Sequence, residues 1–321
     1  MRLTANRLTL LRILLIPVPC ALFYGGPTAK LTALGVASLL GLTDYFDGKL
    51  ARRQGVTRLG ALLDPIADKI FVAVFYLLLA RFRYLPLWLV LLILLREFLI
   101  TGLRQLVPGN LPVSWLAKLK TTVQMLAAGL IVVVQVFPAW SWWGLLAVAL
   151  IMGAGVWWTN FKTRQKLLVT GWSLLLPLLS FLPQRELALI LGIIVLCLTW
   201  LSGVDYLQKA WPFLFSQRAL ILFVPFTLPI ASILAMPFLG RFWLVVPLIL
   251  IAEFSRQALG LLGPYSAKED KVFGLMGLAG LIWYALCPQA DGLLVFWSVV
   301  LVLDTFLVFK KAYQLRTYLR G

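Results

Sequence analysis

The sequence predicts an all-α protein: a polytopic transmembrane helix bundle of about twelve spans, arranged as six plus six by a degenerate duplication. Three observations lead there. The chain has 321 residues, of which 62% are hydrophobic and only 13% charged, a balance that belongs to integral membrane proteins. Apolar runs long enough to cross a bilayer recur along the whole length. The second half also repeats, in weakened form, landmarks of the first.

The apolar runs lie at about 8–25, 31–50, 59–80, 85–105, 113–137, 141–159, 166–183, 187–208, 218–238, 241–261, 270–286 and 291–310. The first opens with Asn6-Arg-Leu-Thr-Leu-Leu-Arg12, continues through Leu15-Ile-Pro17, and stops at Gly25-Gly26-Pro27, a turn rather than a processing site. Taken alone, its basic start reads as an amphipathic helix opening near lipid headgroups. The second run ends in Lys49, Arg52, Arg53 and Arg58, and the sixth in Lys162, Arg164 and Lys166. The last is followed by Lys310, Lys311, Arg316 and Arg320. These clusters share one side if both termini are cytoplasmic. The opposite turns carry Gly25-Gly26-Pro27, Pro138-Ala-Trp-Ser-Trp-Trp143 and Pro288-Gln-Ala-Asp-Gly292, while Arg81 and Arg83 break the pattern and would snorkel.

The fourth run contains Arg96-Glu97-Phe98, then Thr101-Gly102-Leu103-Arg104. Charges inside an apolar run are costly and call for pairing, whether structural or functional. The fifth begins Val113-Ser-Trp-Leu-Ala-Lys118-Leu-Lys120. Lysines in a first helical turn oppose the helix dipole, so either lipid phosphates or a bound anion must answer them.

The net charge is +17. Nucleic-acid binding would need a soluble basic face, and none is apparent; positive loops beside anionic lipid explain the charge better. Cys20, Cys197 and Cys287 are too scattered for a disulfide framework and read as small core residues.

The chemistry concentrates in Asp44-Tyr-Phe-Asp47-Gly48-Lys-Leu-Ala51-Arg52 and Gly60-Ala-Leu-Leu-Asp64-Pro-Ile-Ala-Asp68. This stretch holds four of the chain's twelve acidic residues. Asp44, Asp47, Gly48 and Ala51 share one helical face; Gly60, Asp64 and Asp68 share a face of the next helix. The polar connection between them is short, so the two helices are expected to be antiparallel neighbours with facing carboxylates. Gly48, Ala51 and Gly60 allow close approach. Facing carboxylates repel unless cations lie between them. The chain has no histidine, and an all-oxygen donor set suits a hard divalent ion, Mg²⁺ or Mn²⁺, rather than zinc. Two such ions can clamp a pyrophosphate and activate a hydroxyl. The competing readings are interhelical polar contacts or an ion path.

These residues, Asp-x-x-Asp-Gly-x-x-Ala-Arg followed by Gly-x-x-x-Asp-x-x-x-Asp, resemble the signature of the CDP-alcohol phosphotransferase family, with all eight fixed positions filled. The first-span opening, the Arg96–Arg104 stretch and the Val113–Thr122 stretch are similar to the phosphatidylglycerophosphate synthase branch. The resemblance implies that Asp44, Asp47 and Asp64 ligate metal. Asp68 would complete the metal site and serve as base. Gly48, Ala51, Arg52 and Gly60 would line the nucleotide pocket. It also implies that Arg104, Lys118 and Lys120 hold the phosphate of sn-glycerol 3-phosphate, the acceptor, with CDP-diacylglycerol as donor and membrane lipids as surroundings. The products would be phosphatidylglycerophosphate and CMP, made on the cytoplasmic side of a bacterial-type inner membrane. Other acceptors in the family (phosphatidylglycerol, inositol phosphate, serine) are alternatives; a silent scaffold or a transporter is the alternative of another class.

The expected domains are 1–162, catalytic, and 163–321, a helical membrane domain. In the latter, Trp243 to Phe254 reads like Trp88 to Phe98, Leu275-Met276 like Gln124-Met125, and Asp205-Tyr206 like Asp44-Tyr45. Its chemistry is lost: Gln208 and Lys209 stand where Asp47 and Gly48 would be, and no acid occurs between Lys209 and Glu253. The expected assembly is a homodimer or an intrachain pseudo-dimer. Alternatively, Leu201–Tyr206 is the closing helix of the family, with an insertion before it.

Overall fold

The structure, a computed structural model, describes residues 5–54, 58–106, 115–157, 163–213, 227–243 and 245–262, and a few helical positions between 297 and 306. The expected span at 270–286, most of that at 291–310, and the Leu275-Met276 repeat landmark lie outside the described residues. Among the described residues every regular element is a helix.

In chain order these are α1 (Ala5–Leu15), α2 (Pro17–Leu22), α3 (Pro27–Gln54), α4 (Arg58–Arg81), α5 (Leu87–Leu106) and α6 (Trp115–Val136). They continue as α7 (Ser141–Trp157), α8 (Thr163–Leu175), α9 (Gln184–Leu201), α10 (Val204–Ala210), α11 (Thr227–Ala235) and α12 (Val245–Leu262). Several expected spans are broken where proline stands. The first divides at Ile16, between α1 and the Pro17 that opens α2. α8 gives way at Leu175 to a 3-10 segment containing Pro177, and α11 at Ala235 to one containing Pro237. Proline has no N–H for the α ladder and its ring crowds the carbonyl one turn back. The run at 187–208 divides between α9 and α10 around Gly203.

α4 is the hub. From Ile70 to Leu79 every side chain is buried, with no polar face. A helix apolar all round must be covered all round, and α1, α5, α6 and α12 do so. α9 packs on α5 and α6, and α10 on α5. Gly192 permits this: a Cβ there would lie 2.9 Å from Leu85 Cδ2 and 3.0 Å from Leu89 Cδ1. α11 and α12 close over α5, where the rings of Phe98 and Phe254 stack at 4.2 Å and 8°. α7 and α8 pair at the periphery with large apolar side chains outward, Trp143 66% and Trp172 71% exposed. Such a surface suits hydrocarbon rather than water. Among the described residues, two stretches are long and apolar enough to cross a membrane, Pro138–Trp157 and Gln184–Ala210.

Candidate functional site

Arg12 sits in α1 among leucines and is buried. A buried guanidinium needs acceptors, and it finds them on two other helices. Its Nη1 donates to Asp68 Oδ1 on α4 at 3.2 Å, and its Nε to Thr43 Oγ1 on α3 at 3.3 Å. The Thr43 hydroxyl donates in turn to the Leu40 carbonyl at 2.6 Å. Thr43 immediately precedes Asp44, so one side chain ties the start of the first half-motif to the end of the second. Asp68 remains about half exposed, as a group that must meet a substrate requires.

The helix α3 runs unbroken through Asp44, Asp47, Gly48, Ala51 and Arg52, and α4 through Gly60 and Asp64. Their backbones therefore keep the helical spacing that the motif needs. The side chains of these residues, and of Arg104 on α5 and Lys118 on α6, lie outside the described residues. Among the described residues no group of three metal-binding side chains converges; of the four motif aspartates, only Asp68 is described at that level.

Beside Asp68 a second polar layer fills the interior. Lys69 Nζ donates to Thr101 Oγ1 at 2.5 Å, and Thr101 donates to the Glu97 carbonyl at 2.7 Å. Glu97 Oε1 accepts from Lys120 Nζ at 2.5 Å and lies 3.5 Å from Arg96 Nη1. Arg96 Nη2 donates to Ser202 Oγ at 2.8 Å. Below them Gln124 Nε2 donates to Thr199 Oγ1 at 3.1 Å, and the Tyr76 hydroxyl to the Gln124 carbonyl at 3.0 Å. Arg96 and Glu97 are thus paired, as their cost in an apolar run demands. The expected acceptor-binding Lys120 is buried with its ammonium on Glu97. Arg104 stands one turn beyond Thr101 along α5, and Lys118 one half-turn before Lys120 on α6, so their backbones lie near the Lys69 and Glu97 level.

Sequence reasoning read Arg12 as a headgroup contact and missed its hold on Asp68. The signal was present: Arg12 is preceded by Leu10 and Leu11 and followed by Ile13 and Leu14, which makes surface solvation difficult. Ser202 and Thr199 carried no signal of their own.

Of the expected metal ligands, Asp68 alone is described at the side-chain level: its carboxylate is half exposed, offers only oxygen donors, as a hard divalent ion prefers, and has the Arg12 guanidinium at 3.2 Å.

A sequence profile described as CDP-alcohol phosphatidyltransferase matches residues 2–157. A probable phosphatidylglycerophosphate synthase of Mycobacterium tuberculosis is 46% identical over 135 residues, covering 40% of this chain and 65% of that protein. The chain thus spans about two-thirds of that relative's length. A CDP-diacylglycerol–glycerol-3-phosphate 3-phosphatidyltransferase of Rickettsia bellii is 43% identical over 132 residues, covering 40% of this chain and 73% of its own. One so named from Cereibacter sphaeroides is 32% identical over 231 residues, covering 66% and 97%. No solved structure matches.

Proposed function

The chain belongs to the CDP-alcohol phosphatidyltransferase family, and from that premise we propose that it transfers a phosphatidyl group from CDP-diacylglycerol to sn-glycerol 3-phosphate. The products are phosphatidylglycerophosphate and CMP. The observation that carries this is Arg12, which holds Thr43 and Asp68 together and so brings the two halves of the aspartate motif under one guanidinium. The names of the relatives point to the same donor and acceptor.

Asp44, Asp47, Asp64 and Asp68 would hold one or two Mg²⁺ or Mn²⁺ ions, which supply positive charge to the diphosphate. Asp68, oriented by Arg12, accepts the proton of the acceptor hydroxyl. That oxygen bonds to the phosphorus bearing diacylglycerol, and the bond from that phosphorus to the CMP oxygen breaks. Gly48, Ala51, Arg52 and Gly60 bind the cytidine diphosphate moiety. Arg104 and Lys118, with Lys120 nearby, supply the basic surroundings for the acceptor phosphate. The basic loops support an inner-membrane location with the site on the cytoplasmic side.

Residues 163–321 are read as a degenerate second copy, so that one chain forms a pseudo-dimer with a single working site. Supporting this, the repeat-equivalent residues Phe98 and Phe254 stack on each other, as residues on a two-fold axis do.

The test is CMP release by the purified protein in mixed micelles with CDP-diacylglycerol, offering glycerol 3-phosphate, inositol phosphate, serine and phosphatidylglycerol separately. Release with glycerol 3-phosphate alone is expected, abolished by EDTA and restored by Mg²⁺ or Mn²⁺. Asp68→Asn should lower turnover by about 10²–10⁴-fold. Release with a different acceptor would overturn the acceptor assignment, and none with any acceptor would favour a scaffold.

A further inference from the structure

At the end of the bundle remote from Asp68, a cavity of about 500 Å³ opens between the α4–α5 turn, the start of α9 and the 3-10 segment after α11. It lies thirteen residues along α4 from Asp68, about 20 Å at the α-helical rise, so it is no part of the aspartate site. Arg81, Arg83 and Arg185 line it, with Tyr84, Trp88 and Met236. Among the described residues none of these three arginines makes an ion pair or a hydrogen bond through its side chain. Arg83 also adopts a left-handed backbone, φ 58°, which is unfavourable for a non-glycine residue. A fourth cation stands behind them: Lys30 Nζ donates to the Tyr84 hydroxyl at 2.9 Å and lies 5.0 Å from the Phe82 ring centroid.

The backbone adds to this charge. Both α5 and α9 begin at the cavity, through Leu87 and Trp88 in one and Arg185 in the other. The first N–H groups of a helix have no intrahelical acceptor and carry the positive end of its dipole. No side chain caps α9, and its first turn holds one acid, the exposed Glu186. Three arginines, a nearby lysine and two helix starts therefore face one another across a cavity whose other wall is apolar. Positive charge gathered in this way beside an apolar wall suits an anion with an apolar body.

We propose that this cavity binds a phosphate-bearing anion, its phosphate held by Arg81, Arg83 and Arg185. The chemistry is common to an anionic phospholipid headgroup, whose acyl chains would lie along Trp88 and Met236, and to a soluble phosphate compound. The site does not depend on the transferase reading above.

The experiment uses the full-length protein in detergent micelles. Phosphatidylglycerol and phosphatidylcholine are titrated by native mass spectrometry, and ³²P-labelled inorganic phosphate by equilibrium dialysis. The wild type is expected to retain phosphatidylglycerol over phosphatidylcholine, or to bind inorganic phosphate. The double variant Arg83→Gln/Arg185→Gln should weaken whichever is bound at least tenfold. Loss of phosphatidylglycerol identifies a headgroup site, and loss of inorganic phosphate a site for a soluble ligand. If the double variant does not fold, Arg185→Gln alone, at an exposed position, should weaken binding about threefold or more. Equal binding by wild type and variants, or no binding of either probe, would overturn the proposal. So would loss of phosphatidylglycerol binding in Asp68→Asn with binding unchanged in the arginine variants, which would assign the lipid to the aspartate end.

Discussion

Lys120 places its ammonium on the buried Glu97 carboxylate, which also lies 3.5 Å from Arg96, and Thr101 links the Glu97 carbonyl to Lys69. Removing one partner of such a pair strands the other in the interior, at a cost of about 3–5 kcal/mol. Lys120→Met should therefore lower the thermal unfolding midpoint clearly, and Glu97→Gln in the same chain should restore most of it. The pair of variants also separates two roles. If Lys120 acts on the acceptor phosphate, the KM for glycerol 3-phosphate rises in Lys120→Met and stays high in the double variant. If it only neutralises Glu97, KM recovers along with stability. Arg12 offers a complementary test. Lysine keeps the charge but lacks the fork that reaches Thr43 and Asp68 together. Arg12→Lys is expected to lower turnover by about 10²-fold, the scale of a misplaced catalytic group, with much less change in donor KM. Steady-state CMP release at saturating substrates measures it.

Among the elements, α9 is the one whose docking depends most on a single position. Gly192 faces Leu85 and Leu89 so closely that even a methyl group there would force those side chains to shift. Gly192→Leu should cost about 1–3 kcal/mol by overpacking, seen as an earlier thermal transition. The aspartate motif was legible because acids are rare in this chain and their spacing alone puts them on helix faces. The helices were legible as apolar runs, although the reading ran past Pro177 and Pro237, where hydropathy stays high while the α ladder cannot continue. The docking of α9 was not legible. Its polar contacts, Thr199 with Gln124 and Ser202 with Arg96, join residues 75 and 106 positions apart, and nothing local marks them. The burial of Arg12 was marked locally by its apolar neighbours, but its carboxylate partner, 56 residues away, was not.

For the whole molecule, the apolar rim of α7 and α8 suits a hydrocarbon surround, while the few charges buried around Glu97 are paired with one another, as a low-dielectric interior demands. The closure of α11 and α12 over α5 bears on assembly. In the pseudo-dimer reading the surface that a second copy would occupy is already filled by the chain's own second half. Specific activity should then stay constant when the protein is diluted from micromolar to nanomolar in excess micelles, whereas a dissociating homodimer would lose activity. A covalently joined partner is present at an effective concentration of order millimolar. On that pseudo-dimer reading, the stacked Phe98 and Phe254 carry one more consequence, for inheritance. In a homodimer every substitution arrives twice, once in each subunit, and an acid lost from one site is lost from both. Where the two halves share a single polypeptide, each can mutate alone, so one half is free to shed its carboxylates while the other keeps them.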